Sequence, residues 1–280
     1  RKMPGKDNSE AWEKGYYCEC PECHEPNFSK KSDTRLNGAP CISCHEKISR
    51  NKWRMTLEPR RGFWTEGKPK EVPLRKPERD YKTEDYYIGD MQRQYLMKQK
   101  FNVNGQTIEL ESTSNDSLAV VGLTDYYVCE YCGYASEGMI PSNHKTVRGY
   151  PCRNNKSSYS RYRLSHTFKT FVAKIKFCTT DAQDEKTMLS VLYALLEGLS
   201  RELDVERTDI KGCLHREMWI GCQRPIFSVI LYDAVAGGAG HVRRLITEDA
   251  VVFKRVLNRA IKVVTQCNCE PSCYQCLRNY

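Results

Sequence analysis

Long apolar runs are missing from this 280-residue chain: nothing approaches the roughly 18 consecutive apolar residues that a membrane-crossing helix needs. The opening stretch RKMPGKDNSE has neither the apolar core of a secretory signal nor a methionine at position 1. The expectation is a cytoplasmic protein with no membrane partner, cut from a longer polypeptide. Also missing are GxxxxGK followed by Ser or Thr, and any DEAD- or DEAH-like sequence. Without those groups to hold ATP and magnesium, this polypeptide alone is not expected to hydrolyse ATP. Hydrophobic residues make up 40% of the chain and the mean hydropathy is −0.66. Much of it is too polar to be core, so some other device must order it.

One further absence has a sign. From Gly138 to Thr180 there is no Asp or Glu, while Lys145, Arg148, Arg153, Lys156, Arg161, Arg163, Lys169, Lys174 and Lys176 supply nine positive charges, as many as the chain's formal net charge of +9. Tyr150, Tyr159, Tyr162 and Phe168 are interleaved with them. Cations neutralise phosphates with little sequence preference, and exposed rings stack on unpaired bases, so DNA is the expected partner. A solvated face is the alternative.

What the chain has in quantity is cysteine. Fifteen is an odd number, which rules out complete intramolecular pairing, and clustered thiols in a reducing compartment are more often metal ligands than disulfides. Cys20 and Cys23, then Cys41 and Cys44, form two CxxC turns with seventeen residues between them. This is zinc-ribbon spacing, because each turn aims two sulfurs at one centre. Cys18 stands beside this set as a spare thiol. A second group, DYYVCEYCGY with a later RGYPC, looks like a copy of the first in which Asn155 stands where the fourth cysteine belongs. His144 is the natural substitute, giving Cys129, Cys132, His144 and Cys152 as a second set. The tail CNCEPSCYQC offers Cys267, Cys269, Cys273 and Cys276 as a third. About three structural Zn2+ ions are therefore expected, each acting as folding energy for a polar segment. No role is assigned to Cys178, Cys213 or Cys222.

The rest of the pattern divides the chain into four parts: a zinc-ribbon-like module over 1–58, a Pro/Arg/Tyr-rich connector with a β-hairpin over 59–115, a second zinc module over 116–160, and a final domain over 161–280. Asn104-Gly105 between apolar runs predicts a two-residue hairpin turn, and LAVVGL at 118–123 reads as a further strand. FVAKIKF alternates as a half-buried strand, residues 186–203 read as a buried helix, VERTDIKGCL and IFSVILYD as strands, and a long amphipathic helix runs to about Val264. The expected class is α+β or α/β: two small zinc-ribbon-like β modules, then an α/β domain closed by a C-terminal zinc site of four cysteines.

ILYDAVAGGAGHV runs from a strand through a glycine-rich turn. Gly237, Gly238 and Gly240 either present N–H groups to a phosphate or allow a sharp turn, with Asp233 orienting it. His166 either contacts phosphate or is a hydrogen-bonded structural residue. No nucleophile, base and orienter set is apparent, so no catalytic residue is assigned.

HTFKTFVAKI, VLYALLEGLSRELDV, TDIKG, ILYDAVAGGAG and CNCEPSCYQCLRNY, in that order, resemble the C-terminal zinc-binding (MZB) domain of MrfA-type superfamily 2 DNA helicases over roughly 161–280. The upstream cysteine modules and PRRGF resemble the region preceding that domain in such helicases and in the related DISARM non-helicase subunit. The chain departs from the pattern at Phe171, where an Asp is expected, and at Ala234 and Ala236 in the turn. The resemblance implies a zinc-binding, DNA-binding accessory region serving a RecA-type motor in cis or in trans, in DNA repair or antiviral defence. The alternatives are a zinc-stabilised protein-interaction scaffold, or a hydrolytic or phosphoryl-handling domain using His166 and Asp233.

Overall fold

The computed structural model describes residues 12–30, 35–59, 83–89, 95–103, 105–146, 148–153, 159–178, 184–217, 226–246, 250–270, 272–273 and 276–277. Most of the Pro/Arg/Tyr-rich connector, together with Asn104, Lys156 and Cys222, lies outside them. In chain order the strands are β1 (Trp12–Glu19), β2 (Pro26–Ser29), β3 (Ala39–Pro40), β4 (Lys47–Ile48), β5 (Arg54–Pro59), β6 (Thr83–Tyr87), β7 (Tyr95–Val103), β8 (Gln106–Cys129), β9 (Ala135–Ser136), β10 (Tyr159–Cys178), β11 (Ile210–Glu217) and β12 (Ile226–Asp233). Among the described residues two α-helices join them, α1 (Glu185–Leu203) and α2 (Val251–Thr265). Internal contacts divide the chain into one unit of residues 1–22, 26–84 and 120–167 and another of residues 23–25, 85–119 and 168–280.

In the first unit β1 pairs antiparallel with β2 on one side and β5 on the other. The start of β10 then joins β5 in parallel, Arg163 level with Thr56 and Leu164 with Leu57. Alternation along RYRL at 161–164 sends Tyr162 and Leu164 inward to Leu57, Val128 and Ala135, and leaves Arg161 and Arg163 on the other face.

In the second unit β12 lies between β10 and β11, antiparallel to both, with Ala173 opposite Leu231 and Ile210 opposite Asp233. The unbroken apolar run of β12 has a direct cause, since both its faces are covered. Phe227, Val229 and Leu231 pack with the helices, while Ile230 and Tyr232 pack with Tyr87, Leu118 and Val172. These antiparallel pairings make the unit α+β, the first of the two classes expected.

Helix α1 begins where Asp184 accepts the Thr187 N–H at 3.0 Å and ends at Asp204 in the left-handed conformation. Gly198 faces α2 so closely that a Cβ there would lie 2.7 Å from the Val256 carbonyl oxygen and 2.9 Å from the Ala260 nitrogen. Gly198→Ala should therefore lower the melting temperature, since overpacking on the order of 1–3 kcal/mol outweighs alanine's helix preference of about 1 kcal/mol. An unchanged or raised melting temperature would show that the helices are not in such close contact.

The Asn-Gly hairpin falls between β7 and β8: Val103 pairs with Gln106, and Gly105 has φ +83°. LAVVGL is not a separate strand. It is the middle of the 24-residue β8, which continues through ESTSND because the buried Asp116 is satisfied in place by the Tyr87 hydroxyl at 2.5 Å and Thr113 Oγ1 at 3.2 Å. Among the described residues, no helix is long and apolar enough to cross a membrane.

Candidate metal centres

Among the described residues three sets of four side chains converge, each with its ligand atoms within 4.8 Å of one another: Cys20, Cys23, Cys41 and Cys44; Cys129, Cys132, His144 and Cys152; and Cys267, Cys269, Cys273 and Cys276. The local backbone explains how CxxC turns aim two sulfurs inward. The Cys41 N–H donates to the Glu46 carbonyl and the His45 N–H to the Cys41 carbonyl, at 2.8 and 3.1 Å. Cys129 with Tyr134 and Gly133 repeats that pair, both bonds at 2.8 Å. The residue after the second cysteine must turn left-handed to close the loop: His24, His45 and Gly133 have φ +59°, +61° and +74°. The sequence carries this signal as CH, CH and CG, which cysteine spacing alone does not use. Histidine and glycine both enter that region more readily than most residues.

His144 sits in the second set by virtue of two backbone facts. The Cys152 N–H donates to the His144 carbonyl at 3.0 Å, which brings the two ligands level. The imidazole Nδ1 lies 2.8 Å from the Pro141 carbonyl, which can only accept, so Nδ1 carries the proton. Nε2 is buried and has no hydrogen-bond partner, its lone pair left for a metal. Tyr134 and Tyr159 pack against the ring, with centroids 5.2 and 6.4 Å away.

Sulfur separations also fit a metal. A tetrahedron of thiolates with arms of about 2.3 Å spaces its sulfurs about 3.8 Å apart. Observed separations are 3.6 Å for Cys20 and Cys44, 4.0 Å for Cys129 and Cys152, and 3.2, 3.5 and 3.4 Å in the tail set. These are far beyond a disulfide bond, and none of the described cysteines is held in one. Left to themselves the thiols cannot all ionise. Burial pushes Cys132 up to about 12, and Cys267 pushes its neighbour Cys269 up to about 12, whereas the Cys273 N–H draws Cys276 down to about 6. A divalent cation reverses that balance and deprotonates the ligands. Asn27 adds support that the sequence reading missed: its Nδ2 donates to the Cys41 sulfur at 3.5 Å, and its Oδ1 accepts the Ile42 N–H at 2.9 Å.

Cys18 lies outside the converging set of four. It is buried, donates to the Glu19 carbonyl at 3.1 Å, and is pushed up to about 11 by that burial. Cys213 is buried in the second unit's core and Cys178 is exposed at the end of β10.

The glycine turn spends its donors inside the chain. The Gly237 N–H goes to the Lys169 carbonyl at 2.8 Å, the Gly238 N–H to the Val235 carbonyl at 3.0 Å and the Gly240 N–H to Asp233 Oδ2 at 2.5 Å. Asp233 Oδ1 takes the Val242 N–H at 2.9 Å, so this fully buried carboxylate shapes the turn and offers nothing to a substrate. Thr170 Oγ1 bonds the Asp233 and Val235 carbonyls, both at 3.1 Å. Phe171, at the position where the family resemblance implies an Asp, fills the space over Gly238, where a Cβ would lie 2.3 Å from its ring. His166 is exposed, with Nδ1 2.8 Å from Glu58 Oε1.

Of the predicted cations, Lys145, Arg148, Arg153, Arg161 and Lys169 are exposed. Arg163 is largely covered and bonds Asp125 at 3.1 Å. Lys174 and Lys176 do not join the exposed set: both bond Glu217, with only 13% of each side chain exposed. Tyr162 and Phe168 belong to core, and Tyr150 stands out in solvent at 69% exposure. Tyr131, which the sequence reading did not single out, is 50% exposed beside Cys132.

Comparison with known proteins gives this geometry a family context. Residues 191–277 match the model of the MrfA Zn-binding domain, MZB, which includes the whole tail set of cysteines. The chain is 23% identical over 211 residues to the Druantia protein DruE of Escherichia coli (strain UMEA 4076-1), an alignment covering 65% of this chain and 11% of that protein. The chain thus spans about a tenth of the length of that curated relative. It also superposes on the crystal structure of the helicase MrfA bound to DNA with a TM-score of 0.39 and 16% identity, covering 71% of this chain and 23% of that one. On the match over residues 191–277, the C-terminal region of this chain is of the MrfA type.

Proposed function

We propose that the chain is a zinc-binding accessory region of a helicase-type protein, holding DNA for a RecA-type motor that lies elsewhere, in repair or antiviral defence in the cytoplasm. Each of the three tetrads would hold one Zn2+ through four protein ligands, which leaves no open position for an activated water, so the ions are structural. DNA contact would fall on the second tetrad's loops. The observation that carries this is the exposure of Lys145, Arg148 and Arg153 around that tetrad, in a run with no carboxylate, together with the exposed rings of Tyr131 and Tyr150. The cations would neutralise backbone phosphates and the rings would stack on unpaired bases.

The reading predicts affinity for single-stranded and duplex oligonucleotides that falls with salt and ignores sequence. Reversing Lys145, Arg148 and Arg153 together to Glu should lower the slope of log K against log salt by about three and weaken all sequences alike. Fluorescence anisotropy between low and physiological salt measures both, with zinc content as the control for folding. Undetectable binding at low salt would transfer the function to a protein-docking scaffold.

A further inference from the structure

The first unit carries a cluster of arginines that the acid-free run only half reveals. The parallel pairing of β5 with β10 sets Arg163 level with Thr56, so two residues earlier Arg161 comes level with Arg54, and strand alternation puts them on one face. Asp125 of β8 receives all three guanidinium groups. Arg163 Nε donates to Oδ1 at 3.1 Å, Arg161 Nη2 to Oδ2 at 2.5 Å, and Arg54 Nη1 lies 3.6 Å from Oδ2. Tyr127, two residues further along β8, lies under the Arg161 guanidinium at 5.9 Å. Arg163 is covered, whereas Arg54 and Arg161 are 52% and 58% exposed.

Three cations on one carboxylate leave two positive charges in excess. Each guanidinium has five N–H donors, and a single carboxylate cannot occupy them all. The exposed forks of Arg54 and Arg161 are therefore held side by side with donors to spare. Their mutual repulsion is relieved by a second anion, and planar forks suit phosphate oxygens in a way that a lysine ammonium does not. We infer that Arg54 and Arg161 form a seat for one backbone phosphate of a nucleic-acid strand, with Asp125 holding the two forks in position. The nucleic-acid occupant rests on the function proposed above; the anion seat rests on the arginine geometry.

Two measurements separate these claims. In oligonucleotide titrations, Arg54→Ala and Arg161→Ala should each weaken binding about tenfold. The double variant should lower the salt slope by about one rather than two, because both side chains meet the same phosphate. Arg54→Lys should fail to restore affinity. If wild type binds in a salt-dependent way but Arg54→Ala is unchanged, the seat is overturned and the proposed function stands. Titration of inorganic phosphate into 15N-arginine-labelled protein should shift the Arg54 and Arg161 guanidinium resonances. Such shifts without any oligonucleotide binding would keep the anion seat and overturn its nucleic-acid occupant; no shift with either ligand would overturn the seat. Asp125→Asn raises the net charge, so loose attraction would strengthen the phosphate response, whereas loss of the response marks Asp125 as a positioning residue.

Discussion

Elemental analysis of the purified chain should return three zinc ions per polypeptide, and a chelator that removes them should unfold the tetrad modules rather than merely loosen them. The size of the effect follows from what else holds those segments. Around the second tetrad the buried cluster consists of Cys129, Cys132, Cys152 and Ile140, so most of that core is the ligand set itself. A structural zinc contributes about 10–16 kcal/mol in finger peptides at neutral pH, as much as the whole net stability of an ordinary domain at about 5–15 kcal/mol. Nothing in so small a cluster replaces it. Substituting one ligand tests the assignment residue by residue. His144→Ala should reduce the content to two ions, and His144→Cys should keep three, since a thiolate serves the same position. The lost ordered structure should be read by circular dichroism alongside metal content. A wild-type value near one ion per chain would remove the first two tetrads as zinc sites and leave the tail set, which lies within the residues that match the MrfA Zn-binding domain.

The ligand sets could be read from spacing because a CxxC turn is local: two sulfurs, two intervening residues and one loop define it. The same locality made α1 legible within one residue of its start, and made the Asn-Gly hairpin legible from two residues. His144 required chemistry rather than spacing, since only an imidazole nearby could replace the thiol absent at Asn155, and its buried, unpartnered Nε2 is the structural counterpart of that argument. What stayed hidden depends on pairings between distant residues. Polar ESTSND does not look like strand, yet β8 runs through it because Tyr87 satisfies Asp116 from 29 residues away. Arg54 and Asp125 carry no signal singly and become a cluster only when β5, β8 and β10 come together. Alternation in FVAKIKF correctly placed Lys174 and Lys176 on one face, but no local rule shows that Glu217 covers that face.

That last pairing leads to the second large expected effect, in which Glu217→Gln destabilises the second unit by about 3–5 kcal/mol, the range for removing one partner of a buried ion pair. Glu217 ends β11, accepts Lys174 and Lys176, and takes the Ser228 hydroxyl at 3.2 Å. Burial alone would raise its carboxyl, but the two ammonium groups outweigh burial and hold it down to about 2, against an ordinary 4.5. Because the folded value lies below the unfolded one, the contribution is fully present above pH 4.5 and is lost as pH falls toward 2. Urea midpoints measured from pH 7 down to pH 2 should show wild type losing stability through that window, and the variant, already lacking the charge, losing less. Equal midpoints for the two proteins at pH 7 would mean that the pair contributes nothing. The same variant checks the division of labour among the cations. Lys174 and Lys176 have a structural role, so Glu217→Gln should leave oligonucleotide affinity undiminished wherever the protein remains folded, whereas reversal of Lys145, Arg148 and Arg153 should weaken it without moving the acid transition.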